Sequence, residues 1–289
     1  MSSTSSPTFV LIPGGSSNAL AFGPLSNELA LLGHRSYAVD LPGHGLAAGQ
    51  PAAYHRAPAD GSALASAPSA LAGLTLADNV RHVAGVVRRL AAHGPVTVVA
   101  NSFGGLTLSA LGNAVPELVD RLVYLSALVF ADVPTLLGEV DLPERADNLL
   151  DPATTKIAVG NPVEQGYARL NWRAAHSDPT LFAELKAAIM GEADDRLFRS
   201  FLDTLDVDEN LNPLEPGAVI DPATWGRVPH TFVRLSRDRC VPLAFQNRMI
   251  ADADAATPDN PFDVHTLPLS HVGYVSRPRE VAELLAGLV

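Results

Sequence analysis

The chain has 289 residues, 47% of them apolar and 18% charged, enough for a sizeable core in the size range where an α/β fold often forms one domain. Twenty Lys and Arg stand against 31 Asp and Glu, a net charge of −11. Such a surface repels phosphate backbones and anionic lipid heads, so neither nucleic acid nor a membrane is an expected partner. The single cysteine, Cys240, excludes an internal disulfide and any metal site built from four cysteines.

Residues 1–6 contain neither the basic nor the apolar stretch of a secretory signal, and no apolar run reaches the ~18 residues of a membrane helix. A cytoplasmic protein is therefore expected. Residues 8–12 open the pattern with an apolar, β-branched run that predicts a buried parallel strand. Phe22, Leu25, Leu29 and Leu32 then share one helical face, with Gly33 placed to end it, and a second strand is predicted at 36–39. Residues 43–73 are rich in Gly, Ala, Pro and Ser without a sustained period, so a long surface loop is expected there, functional or partly mobile. Leu76, Val80, Val83, Val87 and Leu90 form a longer stripe, with Thr75 as its N-cap and Gly94 at its end. Strands are predicted at 96–100 and 122–125.

Residues 131–225 show no convincing strand but carry helical stripes at 163–175, 180–190 and 194–205, which reads as a helical lid inserted over the C-terminal edge of the sheet. Strands at 231–235 and 264–267 and a last amphipathic helix on Val281, Leu284, Leu285 and Leu288 complete the pattern. Strands alternating with helices predict an α/β fold with a doubly wound, mostly parallel sheet. Its core domain spans 1–130 and 226–289, and the lid spans 131–225.

Chemistry concentrates where the third strand ends, in Ala100-Asn101-Ser102-Phe103-Gly104-Gly105. A serine between small residues at a sharp strand-to-helix turn is held in a strained conformation that lifts its hydroxyl out of the sheet edge. The helix after it aims backbone N–H groups at anything attached to Ser102. A serine hydroxyl needs a base, and of nine histidines only His271 sits on a loop leaving a strand after the serine. An acid should orient that base; Asp238, after the strand at 231–235, is the natural choice, and Asp132 is the alternative. For an oxyanion hole, one donor is the Phe103 N–H and the other the Gly15 N–H, from the loop Ile12-Pro13-Gly14-Gly15-Ser16-Ser17. Gly14, Ser16, Asn101 and Trp172 are expected at the substrate pocket. Trp172, Phe182, Met190, Phe198 and Phe201 could either line it or pack the lid. The histidines are scattered, no metal-ligand spacing occurs, and no cofactor or metal is implied.

Four segments together resemble the α/β-hydrolase superfamily: residues 8–15, the turn Asp40-Leu41-Pro42-Gly43-His44-Gly45, the serine turn and the stretch from Ser270 to Pro278. They are most like the branch of small carboxylesterases, plant methyl esterases and hydroxynitrile lyases. Pro13 and Asn101 depart from the histidines usual there, and both alter the pocket mouth. The resemblance implies a sheet of about six strands and a serine esterase using Ser102, His271 and Asp238, acting on a small-molecule ester or acyl substrate without a cofactor. Thioesterase, lactonase and acyltransferase activities use the same residues. A lyase of this branch carries Lys directly after the histidine, where this chain has Val272, and a hydrolase-fold binding protein is the non-enzymatic alternative.

Overall fold

In the computed structural model, which describes residues 7–56, 60–132, 142–211 and 216–289, the strand at Thr8–Ile12 is buried along its whole length. Phe9 and Leu11 enter one hydrophobic cluster, Val10 and Ile12 another, the alternation of a strand covered on both faces. The strands among the described residues are β1 (Thr8–Ile12), β2 (Arg35–Ala38), β3 (Val96–Ser102), β4 (Arg121–Ala127), β5 (Tyr167–Arg169), β6 (Asp208–Asn210), β7 (His230–Leu235) and β8 (Asp263–Leu267). Six of them form one sheet in the order β2-β1-β3-β4-β7-β8, with every neighbouring pair parallel. The longer helices are α1 (Gly23–Leu31), α2 (Leu76–Ala91), α3 (Gly104–Ala114), α4 (Pro179–Ile189), α5 (Asp195–Leu202), α6 (Leu243–Ala256) and α7 (Pro278–Ala286). Buried residues of α1 and α7 cover one sheet face, and those of α2, α3 and α6 cover the other. This is the doubly wound α/β architecture that the alternating pattern predicts.

Local rules account for the boundaries. Thr75 caps α2, accepting from the Asp78 N–H while the Asp78 carboxylate accepts from the Thr75 N–H, so two otherwise unpaired donors are satisfied together. Gly33 follows α1 at φ +86°, a conformation that costs glycine little. Reversal of strand order falls between β1 and β3, so the loops leaving those two neighbours flank the crevice where open α/β sheets bind ligands.

The region between β4 and β7 differs from its prediction in one respect. Stripes 180–190 and 194–205 are α4 and α5, but stripe 163–175 breaks at Gly166, whose φ of +75° ends the short helix Pro162–Gln165. The chain then enters β5, which pairs antiparallel with β6. Three-residue strands reading Tyr-Ala-Arg and Asp-Glu-Asn are too short and too polar for an alternation to show. Their pairing depends instead on a cross-strand ion pair: Arg169 Nε and Nη2 donate to Asp208 at 2.6 and 2.7 Å, opposite each other in register.

The described part of the segment 43–73 lies at the surface, with Leu46 fully exposed, and Arg169 fastens a stretch of it. Its guanidinium donates to the carbonyls of Leu64, Ala67 and Pro68, while Leu64 and Tyr54 join Val207 in a small apolar cluster. No helix among the described residues is long and apolar enough to cross a membrane. Because the Arg169 side chain is fully buried, Arg169→Met strands the Asp208 carboxylate and frees three carbonyls. We expect about 3–5 kcal/mol of destabilisation, measured by urea unfolding.

Candidate active site

Ser102 stands at the tip of the β3–α3 turn with φ +52°, the left-handed conformation in which a non-glycine residue is strained. Three glycines let the turn close. A Cβ on Gly14 would lie 2.8 Å from Ser102 Cβ, one on Gly104 would strike the Pro13 carbonyl oxygen, and one on Gly105 the Leu128 carbonyl oxygen. Neighbouring β1 and β3 run in register from Thr8 opposite Val96 to Ile12 opposite Ala100, which carries Gly14 and Ser102 to the same level. Phe103 precedes the first turn of α3, so its N–H belongs to the set that a helix leaves without an internal partner.

His271 and Asp238 meet between the ends of β7 and β8. His271 Nδ1 lies 2.6 Å from Asp238 Oδ2, with both residues buried. The carboxylate is saturated: Oδ2 also accepts from Ser126 Oγ at 2.5 Å, and Oδ1 accepts from the N–H groups of Cys240 and Val241 at 2.7 and 2.8 Å. Four donors of this kind fix the carboxylate in direction. Asp132, the alternative acid, is exposed. The nearby position on β4 is occupied by Ser126, itself at φ +43° and donating to Asp238.

Ser102 and His271 share the wall of a cavity of about 370 Å³ with Gly14, Gly15, Ser16, Asn101, Phe103 and Trp172, so the expected site residues converge. Leu128, Phe130, Leu170, Phe201, Val241 and Val272 make most of the remaining wall apolar. Of the aromatic and Met candidates, Trp172 and Phe201 face the cavity; Phe182 and Phe198 pack edge to face at 5.2 Å. Two expected contacts carry other duties. Asn101 Nδ2 donates to the carbonyls of Leu125 and His271, and Oδ1 accepts from Tyr274 Oη, so the side chain ties the serine turn to the histidine loop. The Ser16 N–H donates to Glu209 Oε2 and the Ser17 N–H to the Gly14 carbonyl, so neither is free to face a substrate.

Glu209, on β6, is a cavity residue that sequence reasoning missed, and its contacts with His44 and Asp206, which do not line the cavity, were missed with it. His44 Nε2 lies 3.5 Å from Glu209 Oε2, and the Gly45 N–H donates to Asp206 Oδ2 at 2.9 Å. The one available signal, three acids among residues 206–209, does not reveal a histidine more than 160 positions away as their neighbour. Burial lowers the affinity of His44 for a proton, but the charge and hydrogen bond of Glu209 and the charge of Asp206 outweigh it, raising the pKa to about 9. Burial pushes Asp206 up to about 6 against the Gly45 N–H and His44, which pull it down.

Asp238, Cys240 and His271 form a trio of potential metal ligands within 4.8 Å of one another. Their bonding does not suit a cation. The facing Asp238 and His271 atoms are hydrogen-bonded to each other, and burial keeps the Cys240 thiol protonated, donating to the Ala188 carbonyl.

The pattern of the alpha/beta hydrolase family matches residues 9–284. Pyrethroid hydrolase of Sphingobium wenxiniae is 24% identical over 282 residues, spanning 96% of this chain and 85% of its relative. Among solved structures, a pyrethroid hydrolase from Sphingobium faniae has a TM-score of 0.69 at 21% identity, covering 98% of this chain and 97% of that one. Polyneuridine aldehyde esterase has a TM-score of 0.71 at 20% identity, covering 98% and 99%. Likeness at such identity speaks for the fold.

His44 provides a pH test of the site's surroundings. Its folded pKa is raised from 6.5 to about 9, so its contribution to stability is fully present below pH 6.5 and is lost as pH rises through about 9. NMR titration of the imidazole should give a midpoint near 9, and Glu209→Gln should bring it down.

Proposed function

The chain belongs to the alpha/beta hydrolase family, and within it we propose a serine esterase that cleaves a carboxylic ester through an acyl-enzyme. The observation that carries this reading is the buried His271–Asp238 hydrogen bond of 2.6 Å in a cavity whose wall includes Ser102. Ser102 Oγ attacks the ester carbonyl carbon as His271 Nε2 takes its proton. Asp238, bound to Nδ1, selects the tautomer with Nε2 free and stabilises the imidazolium that forms. Negative charge developing on the carbonyl oxygen is received by the N–H groups of Gly15 and Phe103, donors fixed before the reaction begins. Collapse expels the alcohol, which takes the proton from His271. Water, deprotonated by the same histidine, then frees the acid and restores Ser102.

The mostly apolar wall, charged only at Arg145, Asp151 and Glu209, favours an ester with a bulky apolar body. Within the stretch 131–225, Leu170, Trp172 and Phe201 of the cavity wall support its reading as a lid. The hydrolase and esterase names of the relatives agree with the reading. Val272 in the cavity wall speaks against a lyase that holds cyanide with a cation, since a valine offers none. Thioesters and lactones present the same carbonyl to the same residues and form the second substrate group to assay.

Ser102→Ala should lower hydrolysis of a chromogenic butyrate ester by ~10³-fold or more, because the base loses its partner. A fluorophosphonate should label Ser102 in the wild-type protein, read by peptide mass spectrometry. An active alanine variant would refute the reading. The acid is tested separately: Asp238→Asn should cost up to ~10⁴-fold in kcat by favouring the wrong imidazole tautomer, while Asp132→Asn should cost little.

A further inference from the structure

The loop carrying Gly15 is held by groups outside the core sheet. Ser16, the residue after Gly15, has φ +53°, a strained conformation for a serine, and it is buried. Both its backbone polar groups are bound by the segment around β6: its N–H donates to Glu209 Oε2, and its carbonyl accepts from the Asp206 N–H at 2.8 Å. Glu209 is itself fixed from two further sides, by His44 at Oε2 and by the Asn210 N–H at Oε1, 2.9 Å away. Asp206 is fixed by the Gly45 N–H at its carboxylate and by Trp172 Nε1 at its carbonyl, 3.0 Å away. Gly15 lies in the gap between the Glu209 carboxylate and the serine turn: a Cβ there would sit 3.7 Å from both Glu209 Oε2 and Phe103 Cβ.

Building on the esterase reading, we infer that Glu209 is a positioning residue for the oxyanion hole. It holds Ser16 in its strained backbone conformation, so that the preceding N–H, on Gly15, faces the developing oxyanion. Although Glu209 lines the cavity, its carboxylate oxygens already accept from Ser16, His44 and Asn210, so its duty is to the loop rather than to a substrate group. Gly15 and Phe103 are used most strongly in the transition state, so disturbing the loop should appear in kcat and leave KM nearly unchanged.

The test compares Glu209→Ala with Glu209→Gln, which keeps an acceptor oxygen for the Ser16 N–H at the same length. The rate is measured per active site, with sites counted by end-point fluorophosphonate labelling so that unfolded protein does not enter. Removing one oxyanion donor outright costs ~10²–10³ in kcat, so misaligning one should cost about 10- to 100-fold in Glu209→Ala. KM should stay within about twofold and Glu209→Gln should recover most of the loss. Glu184→Gln, which breaks an exposed ion pair to Lys156 remote from the loop, should leave kcat unchanged. Wild-type kcat per labelled site in Glu209→Ala, a loss confined to KM, or equal losses in the two Glu209 variants would each overturn the inference. A wild-type protein that neither takes the label nor hydrolyses any ester would instead overturn the esterase reading on which it rests.

Discussion

The Asp238 carboxylate is the point on which the arrangement of the site depends. A buried carboxyl group is tolerable only if its oxygens are hydrogen-bonded, and here four donors converge from three parts of the chain. Ser126 comes from the end of β4, Cys240 and Val241 from the turn after β7, and His271 from the loop after β8. Satisfying one buried side chain thus locks together the ends of three adjacent strands, β4, β7 and β8. On the other side of β4, close packing of Gly14, Gly104 and Gly105 does the same for β1 and β3. Asn101 bridges the two halves, with its amide donating to both the Leu125 and His271 carbonyls.

The segment between β4 and β7 braces two loops of the site. Glu192 accepts from the Ser270 N–H and from Ser276 Oγ, bracing the loop that carries His271, and the Val272 N–H donates to the Ile189 carbonyl. Glu209 and Asp206 brace the loop that carries Gly15. Two carboxylates, one backbone N–H and one backbone carbonyl from this segment therefore hold the two loops on which the proposed chemistry rests. Loop backbone is costly to order by itself, and such side-chain acceptors supply the enthalpy that a sheet supplies to a strand.

Electrostatics divides this surround from the proposed reaction centre. His44, with its pKa raised to about 9, remains a cation near neutral pH and offsets Glu209 and Asp206 where a pair of bare carboxylates would repel. The wall facing a substrate stays mostly apolar, with Leu128, Leu170 and Phe201 among its lining. Low polarity strengthens the interaction of fixed N–H dipoles with a developing oxyanion.

Much of this was legible in the residue order. Buried strands announce themselves as continuous apolar runs because both faces of the sheet are covered, and α2 by its stripe and its Thr75 cap. The serine turn is visible because its steric demands are local: glycine at 104 and 105 is required by atoms brought close by the turn itself and by its neighbouring strands. Residues 163–175 misled because Gly166 and a three-residue polar strand leave no periodic trace, and Arg169–Asp208 pairs positions that sequence spacing does not connect. Only the tertiary structure could distinguish Asp238 from Asp132 by surroundings, since burial and the Ser126 hydroxyl arise from packing β4 against β7. The same holds for Glu209: the acids beside it do not single it out, and its relation to Ser16, 193 residues away, exists only once the chain has folded. Short-range sterics and periodicity are written along the chain; the partners of buried charges are selected by long-range packing.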